Sequence, residues 1–113
     1  MEEVRERLAA HQRFEPDAPL GLRRAAVLIP LFVKDGGLWI LFTRRTETVE
    51  HHRGQISFPG GSEEEDDESL VATALRETEE EIGVAGSDVR YLGALSPLTT
   101  VTDFYVEPFV GAI

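Results

Sequence analysis

The chain has 113 residues, 42% of them hydrophobic, a formal net charge of −10 and no cysteine. That length suits one small domain with a packed core, and the lack of cysteine excludes a disulfide scaffold and a cysteine zinc site. The acidic balance argues against nucleic acid or an anionic membrane as partner, and a phosphate-bearing ligand would need bound cations or a local basic patch.

The opening segment, MEEVRERLAA, is charged and has no apolar stretch of the signal-peptide kind, so a cytoplasmic location is expected. Residues 2–12 read as a short amphipathic helix with Val4, Leu8 and Ala9 on one side. Phe14 to Leu20 holds Pro16 and Pro19 and reads as an extended linker. Ala25 to Val33 is rich in Val, Ile and Leu and reads as a buried strand. Pro30 interrupts this run, which is far shorter than the ~20 residues that span a bilayer. Asp35-Gly36-Gly37 is a turn signal, and Leu38 to Thr43 is the returning strand of a hairpin.

Residues 44–57 are polar and irregular, with a short strand at Ile56 to Phe58. Pro59-Gly60-Gly61 is expected to be a turn that uses the positive φ angles open to glycine. Asp66 or Asp67 is the expected cap of the next helix, whose apolar face is Val71, Ala74, Leu75, Thr78 and Ile82 and whose C-cap is Gly83. Val89 to Leu95 and Phe104 to Ile113 read as further strands, with Pro97 and Pro108 as interruptions. The order predicts a mixed α/β domain in which a helix packs on a sheet.

Two acidic clusters stand out. Glu63 to Glu68, EEEDDE, reads as a solvated loop. The second cluster lies on the helix, where Glu77, Glu80 and Glu81 share one face away from the apolar stripe. Glu77 has like-charge neighbours at i+3 and i+4, each costing roughly 0.2–0.5 kcal/mol. All three carboxylates lie near the negative end of the helix dipole, a further ~0.3–1 kcal/mol. A solvated acidic face is the plain reading. A site for a hard divalent cation such as Mg²⁺ or Mn²⁺ is the functional one. Arg76 lies at i,i+4 from Glu80 and could orient it.

Arg76-Glu77-Thr78-Glu79-Glu80-Glu81-Ile82-Gly83-Val84 resembles the second half of the Nudix box, R-E-U-x-E-E-x-G-U, with Thr78 as the imperfect apolar U. In the first half, G-x5-E, counting back from Arg76 puts the acidic position at Glu68 and the glycine position at Ser62. Gly61 then stands one residue early, and the segment is one residue longer than the standard box. The coenzyme A pyrophosphatase branch of the Nudix hydrolases has this longer spacing. It also has an upstream motif, L-L-T-x-R-S/A-x3-R-x3-G-x3-F-P-G-G. Here Leu41-Phe42-Thr43-Arg44-Arg45-Thr46, Glu50, Gly54 and Phe58-Pro59-Gly60-Gly61 keep every spacing. The departures are Phe42 for Leu, Thr46 for Ser or Ala, and Glu50 for Arg, which reverses a charge.

The resemblance implies an α/β/α sandwich of Nudix type, one domain over residues 1–113, with residues 1–20 an N-terminal helix and linker and 62–84 the box. It also implies that the family's remaining strands and second packing helix lie beyond Ile113, so that only one face of the sheet is covered here. The implied reaction is hydrolysis of coenzyme A or a derivative at its diphosphate, giving 3′,5′-ADP and 4′-phosphopantetheine. Glu77, Glu80 and Glu81 would hold Mg²⁺ or Mn²⁺, Glu80 would be the general base, and Arg76 would hold the glutamates in register. Arg45 and Arg53, with the backbone at Gly60 and Gly61, would contact substrate. His11, His51 and His52 are given no metal role. The expected partner is a small nucleotide, and the resemblance is compatible with a homodimer. Another nucleoside diphosphate derivative is the alternative substrate (ADP-ribose, a dinucleoside polyphosphate or a damaged nucleotide). A non-catalytic Nudix-fold binding module is the alternative class.

Overall fold

The computed structural model describes residues 1–14, 16, 21–44 and 56–113. Most of the proline-containing linker lies outside these residues, as do positions 45–55 with Arg45, Glu50, His51, His52 and Arg53.

Two long strands make the centre of the sheet. Strand β1 (Arg23–Lys34) runs parallel to β8 (Phe104–Ala112), from Arg23 opposite Phe104 to Leu31 opposite Ala112. Strand β2 (Gly37–Ile40) folds back on β1, and β6 (Arg90–Ala94) pairs antiparallel with β8, so the order is β2-β1-β8-β6. Two short strands extend the same edges: β5 (Gly60–Ser62) lies beside β1, and β7 (Leu98–Thr99) lies beside β8. Strands β3 (Thr43–Arg44) and β4 (Ile56–Ser57) form a separate small ladder. The β1–β2 turn places Asp35 and Gly36 at φ 52° and 75°, the two positive angles of a tight hairpin. The returning strand stops at Ile40, short of the predicted Thr43, which belongs to β3.

Both central strands contain a proline that should disrupt pairing. Each sits where its strand changes neighbours. On β1, the partner switches from β5 at Val27 to β2 at Leu31, and the Pro30 carbonyl in that gap accepts from the Leu41 amide. On β8, the partner switches from β7 at Val106 to β6 at Phe109, and the Pro108 carbonyl accepts from the Leu95 amide. The amide each proline lacks would point into the gap, so the ladder loses nothing there. Pro108 therefore does not interrupt the last strand, which runs unbroken from Phe104 to Ala112.

Helix α2 (Leu70–Ile82) packs on one face of the sheet, where Leu70 and Ala74 join Ala26, Leu28 and Phe109 in a buried cluster. Burying a leucine such as Leu28 contributes roughly 1.5–3 kcal/mol. Thr78 is fully buried, its hydroxyl donating to the Ala74 carbonyl at 2.7 Å, which lets a polar side chain occupy the apolar U position of the box. The helix is capped by Ser69, which accepts from the Ala72 amide at 3.2 Å, not by Asp66 or Asp67. Gly83 ends it in the left-handed conformation, as its position predicted.

Helix α1 (Glu2–Ala10) occupies the opposite face, where Val4 and Leu8 pack on Leu31, Leu92 and Val110. The expected one-sided sheet is thus corrected: alternating residues of β1 and β8 serve two packing layers, one on each face. Among the described residues no helix is long and apolar enough to cross a membrane.

Candidate active site

The site is built where the end of α2 meets β5. The Gly60 amide donates to the Glu81 carboxylate at 3.2 Å, and the Glu77 carboxylate lies against Gly61. Successive glycines of one strand therefore each face a carboxylate of the helix. Neither glycine has the positive φ expected of a turn; both are extended and paired with β1. Glycine is needed for close approach instead. A Cβ on Gly60 would lie 2.4 Å from the Ala26 carbonyl oxygen, and one on Gly61 would lie 2.5 Å from Glu77 Oε1.

The two positions should fail differently. Gly60→Ala pushes strand backbone against strand backbone and is expected to destabilise by about 1–3 kcal/mol. Gly61→Ala moves only the end of a flexible side chain. It is expected to leave the melting temperature nearly unchanged while lowering catalysis about 10–100-fold, the scale on which metal sites respond to displaced ligands. Thermal melts and steady-state rates on the two variants test this contrast.

Arg76 is the hub of the site. Its Nε and Nη2 grip the two carboxylate oxygens of Asp67, each at 3.0 Å, in the fork geometry that favours arginine. Nη2 also donates to the Ser62 carbonyl at 3.1 Å, fastening the helix to β5. Nη1 donates to Glu77 at 3.1 Å and more loosely to Glu80 at 3.4 Å. The predicted Arg76–Glu80 pair exists, but it is the longest of these contacts, and the main anchor is Asp67. The Asp67 side chain is only 7% exposed. It also accepts from the Glu64 amide at 2.9 Å and the Thr73 hydroxyl at 2.8 Å. The Arg76 guanidinium and these donors hold its carboxyl well below the usual carboxylate range. Asp67 in turn raises the Arg76 pKa further above its already high value.

The EEEDDE segment is therefore not solvated throughout: Asp67 is an internal strut. It also resolves the irregular first half of the box. Counted forward from Gly61, G-x5-acid ends on Asp67, so the first half is intact and the extra residue falls between Asp67 and Arg76. The backward count selected Glu68, which is exposed. The forward count was the available signal.

Beside this corner lies a cleft of about 530 Å³ on the α1 face of the sheet. Ala25 and Val27 of β1 and Phe104 and Val106 of β8 form its floor. Thr43, Arg44, Ser57 and Phe58 form one wall, and the glycine strand with Glu81 forms the other. Phe58 is held by stacking on Phe42, with centroids 4.7 Å apart. Arg44, at an unspecified position of the upstream motif, was not selected from the sequence as a contact. Of the predicted substrate contacts, Gly60 and Gly61 line the cleft, while Arg45 and Arg53 lie outside the described residues.

Glu77, Glu80 and Glu81 lie within five positions of one helix and offer only carboxylate oxygens, a donor set that fits Mg²⁺ or Mn²⁺. Among the described residues no three acidic or histidine side chains converge on a point, since Glu77 and Glu80 turn to Arg76 and Glu81 turns to Gly60.

Comparison with known proteins gives the family. The family model for the NUDIX domain covers residues 22–112. The uncharacterized Nudix hydrolase NudL of Yersinia pestis (strain Pestoides F) is 46% identical over 91 residues, 80% of this chain and 45% of the relative. NudL of Yersinia pseudotuberculosis serotype O:1b (strain IP 31758) matches equally. The chain thus spans about half the length of the curated relatives it matches. Among solved structures, the C. elegans Ap4A hydrolase superposes with a TM-score of 0.64 at 18% identity, over 80% of this chain and 67% of that one. The NUDIX domain of Shewanella oneidensis NrtR, complexed with ADP ribose, gives 0.60 at 22% identity, over 96% and 68%. At these identities the structures speak for the fold, and the family match with the NudL identity speaks for descent: the chain belongs to the Nudix family.

Proposed function

We propose that the protein is a metal-dependent hydrolase that cleaves the diphosphate linkage of coenzyme A or its derivatives to 3′,5′-ADP and 4′-phosphopantetheine. The observation that carries this reading is the meeting of the Glu77–Glu81 face with the glycine strand at the edge of a cleft whose far wall comes from the upstream motif. Glu77, Glu80 and Glu81 are the residues that would hold Mg²⁺ or Mn²⁺. Such an ion, when bound, activates the attacking water and offsets charge on the diphosphate.

The chain's own residues supply the rest. Arg76 restrains Glu77 and Glu80, and Asp67 restrains Arg76. Glu80 is far more accessible than Glu77, its side chain 58% exposed against 18%, and it suits the role of accepting the proton of water. Arg44, which lines the cleft, Arg45, at the first arginine of the motif, and Arg53, at one of its unspecified positions, are the cations that would contact phosphate.

Glu50, where the branch motif has arginine, favours a second reading, in which another nucleoside diphosphate derivative is the substrate. The presence of Arg76 and all three box glutamates disfavours a binding module without catalysis. Comparing kcat/KM for coenzyme A, ADP-ribose and a diadenosine polyphosphate under one set of conditions tests the assignment. Coenzyme A should be preferred, with 3′,5′-ADP as product. A preference for either of the others would retain the site and discard the coenzyme A reading.

A further inference from the structure

The glutamate corner occupies one side of the cleft, and the opposite end has its own chemistry. Side chains alternate along a strand, so Arg23 points to the same face as Ala25 and Val27. Its neighbour on β8 is Phe104, which lines the cleft, and the Arg23 guanidinium sits over that ring, 5.3 Å from its centroid. Arg24, on the other face, pairs with Glu63 at 3.6 Å. Among the described residues Arg23 has no carboxylate partner, in a chain whose net charge is −10. A guanidinium held by an aromatic ring at the mouth of an apolar cleft keeps its donors available for an anion.

Position decides which anion. Val27 is opposite Gly60, whose amide meets Glu81, and Arg23 lies four residues further along β1. At ~3.3 Å per residue that is about 13 Å from the glutamate corner. Held over Phe104 at that separation, the Arg23 guanidinium faces the part of the substrate that extends beyond the diphosphate.

We infer that Phe104 and Arg23 form a subsite for the nucleoside end of the substrate, the base lying against Phe104 and a phosphate on the ribose receiving the Arg23 donors. This deepens the proposed function and rests on it, because a 3′-phosphate is what distinguishes coenzyme A from ADP-ribose and from dinucleoside polyphosphates. Arg23 is then the residue that selects phosphorylated nucleoside.

Calorimetric titration of the full-length protein with 3′,5′-ADP and with 5′-AMP tests this without turnover. Charge-assisted hydrogen bonds to the extra phosphate should make 3′,5′-ADP bind about tenfold or more tightly than 5′-AMP. Arg23→Gln should bring the ratio of the two affinities close to one, Arg23→Lys should restore part of it, and Phe104→Leu should weaken both nucleotides together. A ratio that survives in Arg23→Gln, or no preference in the wild type, overturns the subsite. A parallel assay of coenzyme A cleavage separates the two ideas. Cleavage with an unaltered ratio in Arg23→Gln leaves the function and removes the subsite. An Arg23-dependent ratio without cleavage leaves the subsite and removes the coenzyme A reading.

Discussion

Glu81→Gln is expected to lower metal-dependent turnover by about a thousandfold or more, on the scale of several kcal/mol of charge stabilisation supplied through a metal, while the stability of the fold changes little. The substitution keeps the size of the side chain, and a glutamine carbonyl can still accept the Gly60 amide that Glu81 accepts at 3.2 Å. What it removes is a negative charge in the last turns of α2, one position from Glu80 and four from Glu77. That charge is unfavourable to the helix through the dipole, by ~0.3–1 kcal/mol, and through its i,i+4 neighbour, by roughly 0.2–0.5 kcal/mol. Relief of these terms offsets the loss of the carboxylate's own contacts, so the melting temperature should change little while activity collapses. A carboxylate present only as solvated surface would give the same melting behaviour with activity unchanged. Steady-state kinetics and a thermal melt on the same preparation distinguish the two.

Asp67→Asn should produce the second large effect, and of a different kind. Asp67 does not line the cleft; it fixes Arg76, which fixes Glu77 and Glu80. An amide cannot accept both guanidinium nitrogens as a carboxylate does, so the glutamates lose their register. Turnover should fall about 10–100-fold, as when outer partners of metal ligands are removed. The variant should also melt lower at neutral pH. The sign of the pH dependence follows from the depressed carboxyl of Asp67. A group whose folded pKa lies below its unfolded value stabilises the fold fully above the unfolded value, about 3.9 for aspartate, and loses that contribution as pH falls towards the folded value. The gap between wild type and Asp67→Asn should be constant from neutral pH down to about 5 and should narrow below about 4. A gap that widens in acid would mean that Asp67 is not the carboxylate Arg76 holds.

Periodicity and punctuation made much of the fold legible. Gly83 marked the end of α2, Asp35-Gly36 marked the hairpin, and the Val- and Ile-rich runs marked β1 and β8. What the sequence misplaced depended on contacts between distant residues. Pro30 and Pro108 read as breaks because a strand's change of neighbour is visible only in the assembled sheet. Gly60 and Gly61 read as a turn because glycine signals positive φ and close approach alike, and only the position of Ala26 and Glu77 decides between them. Asp67 was hidden inside an acidic run whose composition suggested solvent. The box motif, with fixed spacing on one helix, located Arg76 and the three glutamates; Arg23, Arg44 and Phe104 come to the cleft from separate strands and carried no local signal.

The central claim is that this glutamate face supports metal-dependent cleavage of a diphosphate. Its most direct test is chromatography of coenzyme A incubated with the full-length protein, with Mn²⁺ or Mg²⁺ and again with the metal chelated. Release of 3′,5′-ADP and 4′-phosphopantetheine that requires the metal is the predicted result. Equal release after chelation, or no cleavage of coenzyme A, ADP-ribose or a diadenosine polyphosphate with either metal, would contradict it.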